Sequence, residues 1–226
     1  MTTNLQSPAV GKIKAPRAQQ SNEERTAQTR GKIIDAAIAL LFSGGYGAAT
    51  TTKVAKKAAV SRGAMTHHFR TRADLMLAVT EKVMREQYQH RIEHIAYAYP
   101  PGPQRYYASA DVSWEVERQP GAVAILEIMM ASRNDRALQQ RFASWLDRVD
   151  QVRRQVAVLI ARDLGIDDIE SLEDMLQIHI ATLRGLSIQL MFTRRPEEIE
   201  RARQLYKHYE WTFVAQLMAR KKAQTT

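Results

Sequence analysis

Residues 50–69 read TTTKVAKKAAVSRGAMTHHF, a stretch that predicts a short helix, a tight turn and a second short helix. Thr50 or Thr51 can cap the first helix, because a threonine hydroxyl accepts a hydrogen bond from a free amide of the first turn. A turn at Val60 precedes the second helix, which ends near Phe69. This pattern is typical of a helix-turn-helix, whose second helix lies in the major groove of DNA.

The second helix of this motif has two different faces. Met65 and Phe69 fall on one side, where they can pack against the rest of the domain. At about 100° per residue, another face is small or polar enough to approach base edges and phosphates. That face consists of Arg62, Gly63, Thr66 and His67. We therefore predict that these four residues contact DNA.

Positive charge is concentrated in the same part of the chain. The protein has 226 residues and a formal net charge of +9. Residues 1–90 contain 14 of the 33 lysines and arginines but only 6 of the 24 acidic residues, and no acidic residue lies between Asp35 and Asp74. Such a stretch attracts phosphates, although a solvated basic surface has the same composition.

The segments on both sides of the motif also have helical periodicity. One helix begins near Arg25, and Thr71 to Asp74 can form the capping box of a long fourth helix that ends by Pro100. Further helices follow, and no run alternates as a strand would. The sequence therefore predicts an all-α protein with a flexible basic arm (1–24), a helix-turn-helix domain (25–72) and a second helical unit (73–226).

The composition excludes several classes of protein. With no cysteine, the chain has no disulfide, no thiol nucleophile and no cysteine-bound zinc. No segment approaches the roughly 18 apolar residues of a membrane span. The polar first thirty residues lack the apolar run of a signal peptide, so we expect a cytoplasmic protein without membrane partners.

Residues 25–80 resemble the TetR family of transcriptional regulators. The resemblance rests on Lys32–Ala37, Leu41–Phe42, Gly45–Tyr46, Thr50–Thr51, Val54–Ala55, Ala58–Gly63, His68–Phe69, Arg72, Asp74 and Leu75. It implies a three-helix DNA-binding domain followed by a helical-bundle domain that binds an effector and dimerises. By the family pattern, the positions that contact DNA are Thr51, Thr52, Ser61, Arg62, Gly63, Thr66, His67, His68 and Arg72.

Two positions depart from the family pattern. The usual glycine of the turn is Ala59, whose side chain costs up to about 1 kcal/mol if the backbone there is left-handed. The usual tyrosine of the third helix is Thr66, followed by His67. The second departure puts the customary phosphate contact of that tyrosine in question.

The second unit resembles the family in layout, and Glu127–Asp135 with Arg184–Leu186 are similar to repressors of aromatic-acid catabolism. We expect a small apolar or aromatic effector, because ligand pockets are mostly apolar with a few polar groups. The candidate lining residues are Trp114, Met129, Met130, Trp145, Met175 and His179, for which plain core packing is the alternative. His179 lies on an apolar stripe, so it needs a hydrogen-bond partner from the core, a partner subunit or a ligand.

The layout also implies a homodimer in which the last two helices of each subunit pack together. The final helix has an apolar stripe for this purpose, formed by Ile199, Ala202, Tyr206, Tyr209 and Phe213. Two-fold symmetry then predicts a palindromic operator in double-stranded DNA, with recognition helices about 34 to 36 Å apart.

The sequence thus predicts a DNA-binding regulator, more specifically a repressor released by an effector, with the fourth helix transmitting the signal. We expect no catalysis, no cofactor and no metal. A protein that coats DNA without sequence preference is one alternative. Another is a zinc hydrolase, because His90 and His94 match the H-x-x-E-H spacing of inverted zinc peptidases.

Overall fold

In a computed structural model, residues 21–224 are described, with side chains to residue 220. The predicted all-α fold is confirmed, since this part of the chain contains nine α-helices and no strand. They are α1 (Asn22–Ala48), α2 (Thr51–Lys57), α3 (Arg62–His68), α4 (Arg72–Arg91), α5 (Pro103–Glu117), α6 (Pro120–Ser132), α7 (Arg136–Leu164), α8 (Ile169–Phe192) and α9 (Pro196–Gln224), with a π-helix at Ile92–Ala96.

Two predicted helix boundaries differ from the structure. Helix α1 begins at Asn22 rather than near Arg25, because Ser21 and Glu24 form a capping box. The last residues of the predicted arm are therefore helical, while residues 1–20 lie outside the described part of the chain. Helix α4 ends at Arg91, where the chain continues as one π-helical turn before the prolines.

The helix-turn-helix is held in place by side-chain caps. Thr50 accepts a hydrogen bond from the Lys53 amide at 3.3 Å, and Ser61 accepts one from the Ala64 amide at 3.1 Å. In the turn between α2 and α3, Ala59 has φ of 54°, so this alanine occupies the left-handed region. The sequence thus places a Cβ where the family pattern has glycine, and the backbone keeps its left-handed turn.

The largest apolar core joins the helix-turn-helix to the second unit. Besides residues of α1 to α4, it contains residues of α6 and α7; its fully buried members include Ile33, Leu41, Val54, Leu75, Met76, Val79, Ile128 and Leu138. The predicted boundary at residues 72 and 73 coincides with the start of α4, and the core continues across it. Helix α6 therefore packs directly against α1 and α4, and α7 packs against α4.

Two smaller apolar clusters fill the far end of the molecule. One lies between α5, α7, α8 and α9 and includes Tyr106, Leu172 and Val214. The other consists of Trp114, Leu183 and Ile199, with further apolar residues packed around it. Within the described range, no helix is long and apolar enough to cross a membrane.

Candidate functional site

Helix α3 has one buried face and one exposed face. Met65 is 2% exposed and Phe69, which follows the helix, is 4% exposed, and both pack into the large core. The four residues that helical spacing predicts to contact DNA lie on another face, and all are exposed: Arg62, Gly63, Thr66 and His67. A helix anchored in this way presents a rigid surface to a DNA groove.

The first turns of α1 flank this face and extend it. An open groove runs between the two helices, lined by Arg25, Thr26 and Thr29 on one side and by Gly63, Ala64 and His67 on the other. The α1 residues were missed by the sequence analysis. These α1 residues are polar and recur at helical spacing in the helix that precedes the motif. That pattern could have indicated that they lie beside α3.

The other predicted DNA-contacting residues have different environments. Thr52 is exposed and Thr51 is half-buried at the start of α2, and the Ser61 hydroxyl caps α3. His68 is half-buried. Burial lowers the pKa of its imidazole, and the nearby positive charges of His67 and Arg30 lower it further.

Arg72 is half-buried and bonds to carbonyl groups at the end of α1. Its Nε donates a hydrogen bond to the Ala49 carbonyl at 3.1 Å, and another guanidinium nitrogen donates to the Tyr46 carbonyl. The guanidinium also lies 3.8 Å from the centre of the Tyr46 ring. Arg72 therefore stabilises the end of α1 through these bonds. Its contact with DNA stays a prediction.

Tyr46 lies where the end of α1 meets α6 and the start of α7. Its backbone N–H donates to Glu127 Oε2 of α6 at 2.8 Å, and its hydroxyl donates to Asp135 Oδ2, at the start of α7, at 3.2 Å. The preceding Gly45 has φ of 69°, and a Cβ there would lie only 2.9 Å from Glu127 Oε2. A kink in α1 and a carboxylate of α6 thus fit each other closely.

The six predicted effector residues do not form one site in this structure. Trp145 is 5% exposed in the large core, where it stacks on Phe142 with ring centres 4.5 Å apart, and Met129 packs against the same core. Met130 is 53% exposed. The remaining three, Trp114, Met175 and His179, belong to the far end of the molecule.

His179 finds its polar partner within the same chain. Its Nδ1 lies 2.9 Å from Glu210 Oε1, and the Tyr106 hydroxyl donates a hydrogen bond to the same oxygen at 2.9 Å. Glu210 is only 4% exposed. The sequence analysis missed Glu210, although its spacing from the buried Arg203 and Val214 along α9 places it on the inward side of that helix.

His90 and His94 stack on each other where α4 passes into the π-helix. Their ring centres are 3.9 Å apart, and His94 Nδ1 lies 2.9 Å from the His90 carbonyl oxygen. Among the residues that the structure describes, no three His, Asp or Glu side chains come together as a metal site. The zinc-hydrolase alternative therefore gains no support from the geometry.

The outer face of α8 and α9 is exposed and apolar. It includes Ile178, Ala181, Phe192, Ala202, Leu205 and Tyr209, of which Phe192 is 80% and Tyr209 63% exposed. The predicted stripe on α9 is therefore wrong in part. Ile199, Tyr206 and Phe213 pack within their own subunit, whereas Ala202 and Tyr209 face outward.

Comparison with known proteins identifies the class. A family model described as bacterial regulatory proteins, tetR family, matches residues 33–79. The HTH-type transcriptional regulator CymR of Pseudomonas putida is 30% identical over 186 residues, which cover 81% of this chain and 90% of CymR. Together with the exposed α3, these matches define a helix-turn-helix transcriptional regulator.

Solved structures share the fold over most of the chain. A TetR-family member from Streptomyces coelicolor A3 is 25% identical with a TM-score of 0.57, and the match covers 80% of this chain and 97% of that one. The multidrug binding protein EbrR complexed with malachite green is 26% identical with a TM-score of 0.54, covering 79% and 96%. The chain belongs to the TetR family of transcriptional regulators.

Proposed function

We propose that this regulator is a sequence-specific repressor that binds a palindromic operator as a homodimer and leaves it when a small molecule binds the second helical unit. The observation that carries the proposal is the exposed polar face of α3, backed by Met65 and Phe69 in the core. Arg62 on this face has the reach and the donors to bind a guanine edge.

The outer face of α8 and α9 supports the homodimer. Exposed apolar side chains on two adjacent helices are costly in water unless a partner covers them. A second copy offers the same face, and a two-fold axis makes the two faces complementary. The two recognition helices of such a dimer read successive major grooves on one side of the DNA.

Effector release requires coupling between the two units. An effector shifts DNA binding only by its different affinity for two conformations of the protein. The Tyr46 contacts with Glu127 and Asp135 can transmit a conformational change from α6 and α7 to α1. Helix α4 offers a second connection between the two units. EbrR, a relative that is complexed with malachite green, supports the binding of a small molecule by this chain as well.

The effector is the small apolar or aromatic molecule expected from the sequence. Trp114, Met175 and His179 are the candidates that we retain for contact with it, because they lie at the far end of the molecule, away from the large core. Trp145 lies in that core and Met129 packs against it, while Met130 lies on the surface near Tyr46.

The test is an anisotropy titration of the full chain against labelled DNA from upstream of its own gene, with unrelated DNA as the control, at two salt concentrations. We expect a preference of about 10³ or more for the upstream DNA that persists at the higher salt. Equal and steeply salt-dependent binding to both DNAs would instead favour the coating protein.

A pair of variants locates the DNA-binding surface. Arg62→Ala is expected to weaken specific binding by about 1 to 3 kcal/mol, because it removes a contact with base edges. Arg85→Ala, which removes an exposed arginine from α4, serves as the matched control and leaves affinity unchanged. Equal affinities of the two variants would refute the proposed face.

A further inference from the structure

The groove between the first turns of α1 and helix α3 has the walls of an anion site. Its volume is about 380 Å³. It is lined by Asn22, Arg25, Thr26, Thr29, Gly63, Ala64, His67 and His68. These lining residues include basic and neutral polar side chains and no carboxylate. A surface of this kind attracts a negatively charged group.

The acidic residues of the DNA-binding helices lie elsewhere. All of them are on α1, where Glu24 accepts a hydrogen bond from the Ser21 amide at 3.0 Å and Asp35 pairs with Lys82 of α4. Glu23 is exposed in the first turn of α1 and does not line the groove. The charged or titratable side chains of α2 and α3 are Lys53, Lys56, Lys57, Arg62, His67 and His68. The field around the groove is therefore positive.

The imidazole of His67 is the side chain of α3 that can donate into this groove. The hydroxyls of Thr26 and Thr29 use their one hydrogen within α1, since each donates to a carbonyl of the preceding turn at 2.8 Å. His67 is exposed, and among the residues that the structure describes its ring contacts His68 without a hydrogen bond at either nitrogen. Both nitrogens of a protonated imidazole are donors.

The two neighbouring histidines differ in burial. Their ring centres are 5.4 Å apart, and His68 is half-buried whereas His67 is exposed. Burial lowers the pKa of the His68 imidazole, and the positive charges of His67 and Arg30 lower it further. Two imidazolium ions this close also repel each other. A proton taken up by this pair therefore resides on His67.

We propose that a backbone phosphate of the DNA occupies the α1–α3 groove and that His67 binds it in the protonated form, so that DNA binding takes up as much as one proton from solvent per subunit. A phosphate beside the ring favours the imidazolium, and histidine changes its charge between about pH 5 and 8. The contact positions the protein on DNA without reading sequence. The inference rests on the proposed function in requiring that α3 bind DNA.

The test compares DNA affinity at two pH values and constant ionic strength. Anisotropy of the full chain is measured with the labelled upstream DNA and with unrelated DNA, at about pH 6 and about pH 8. An opposite charge within 4 to 6 Å shifts a pKa by about one unit or more, which is worth up to about tenfold in affinity for each half-site. For a dimer on two half-sites we expect binding at least about tenfold tighter at the lower pH.

The salt dependence supplies a second readout of the same contact. Each phosphate that a cation neutralises steepens the fall of log K with log salt by about 1. We therefore expect the slope at the lower pH to be steeper by about 1 for each half-site. A slope that is the same at both pH values would contradict a charged contact between His67 and a phosphate.

Three variants assign the pH effect to one residue. His67→Gln keeps an N–H donor but no charge, so the ratio of the affinities at the two pH values is expected to fall at least threefold. His67→Lys is charged at both pH values, so its ratio is expected to be close to one. His94→Gln removes another exposed imidazole, from the π-helix after α4, and as the matched control keeps the natural ratio.

The outcomes separate this inference from the proposed function. The inference is overturned if the natural chain binds equally at both pH values, or if His67→Gln keeps the natural ratio. If the preference for upstream DNA persists in that case, only the proton-linked contact is lost. If the ratio depends on His67 on both DNAs but no preference is found, the phosphate contact stands and the sequence-specific repressor is refuted.

Discussion

Replacing Ala59 by glycine is expected to stabilise the protein. Its φ of 54° lies in the left-handed region, which costs an L-residue about 1 to 2 kcal/mol. Glycine removes this strain. It also raises the entropy of the unfolded chain, which lowers the free energy of unfolding by about 0.4 to 1 kcal/mol. Because Ala59 is exposed, no packing is lost. The net gain in the free energy of unfolding is therefore about 0.8 kcal/mol at the middle of both ranges, within limits of about 0 and 1.6 kcal/mol.

The matched control is the neighbouring residue. Ala58 has φ of −75° and ψ of −6°, ordinary right-handed geometry, and it packs against the large core. Ala58→Gly is therefore expected to lose about 1 kcal/mol. The two substitutions make the same chemical change one residue apart and have opposite expected signs.

The assay is urea denaturation followed by circular dichroism at 222 nm, at one fixed protein concentration. Thermal melting is expected to follow, with Ala59→Gly raising the Tm by about 1 to 4 °C for a chain of this size. The argument from backbone strain is refuted if Ala59→Gly is no more stable than the natural sequence, or if both substitutions destabilise equally.

Three further predictions concern the domain junction, the dimer and the response to acid. Gly45→Ala is expected to lower the free energy of unfolding by about 1 to 3 kcal/mol, because the φ of 69° at this position suits glycine and a Cβ would press on Glu127. Urea denaturation measures this loss, and unchanged stability would contradict the prediction. Tyr209→Asp is expected to yield monomers in sedimentation velocity while Tyr88→Asp does not, and dimers in both variants would rule out the α8 and α9 interface. Hydrogen bonding to Arg203 lowers the pKa of Glu200 to about 2, so its stabilising contribution is present above about pH 4.5 and is lost as the pH falls towards 2. Glu200→Gln is therefore expected to flatten the acid limb of the stability curve, and an unchanged limb would show that this pair contributes nothing.

The sequence by itself determined the helices and the exposed face of α3, because both depend on interactions within a few residues. The capping box from Thr71 to Asp74 occurs as the residue types predict. The side chains of α3 divide between core and surface at helical spacing, so Met65 is buried while Arg62 is exposed. Family membership followed from the same local motifs.

Contacts between helices were decided only by the tertiary structure. Glu127 meets the Tyr46 amide 81 positions away in the chain, and Arg72 turns inward to the end of α1. Trp145 lies in the core shared with the DNA-binding helices, not with the other aromatic candidates. Sequence periodicity assigns a residue to a face of its helix, but it does not say which helix that face will meet.

His179 illustrates this division best. Its place on an apolar stripe predicted the need for a polar partner, because a buried imidazole must make hydrogen bonds. The identity of that partner, Glu210 on α9, depends on how α8 and α9 pack and on the register between them. Helical propensity is local in the chain, whereas packing register depends on the shapes of many side chains at once, and so it appears only in the folded structure.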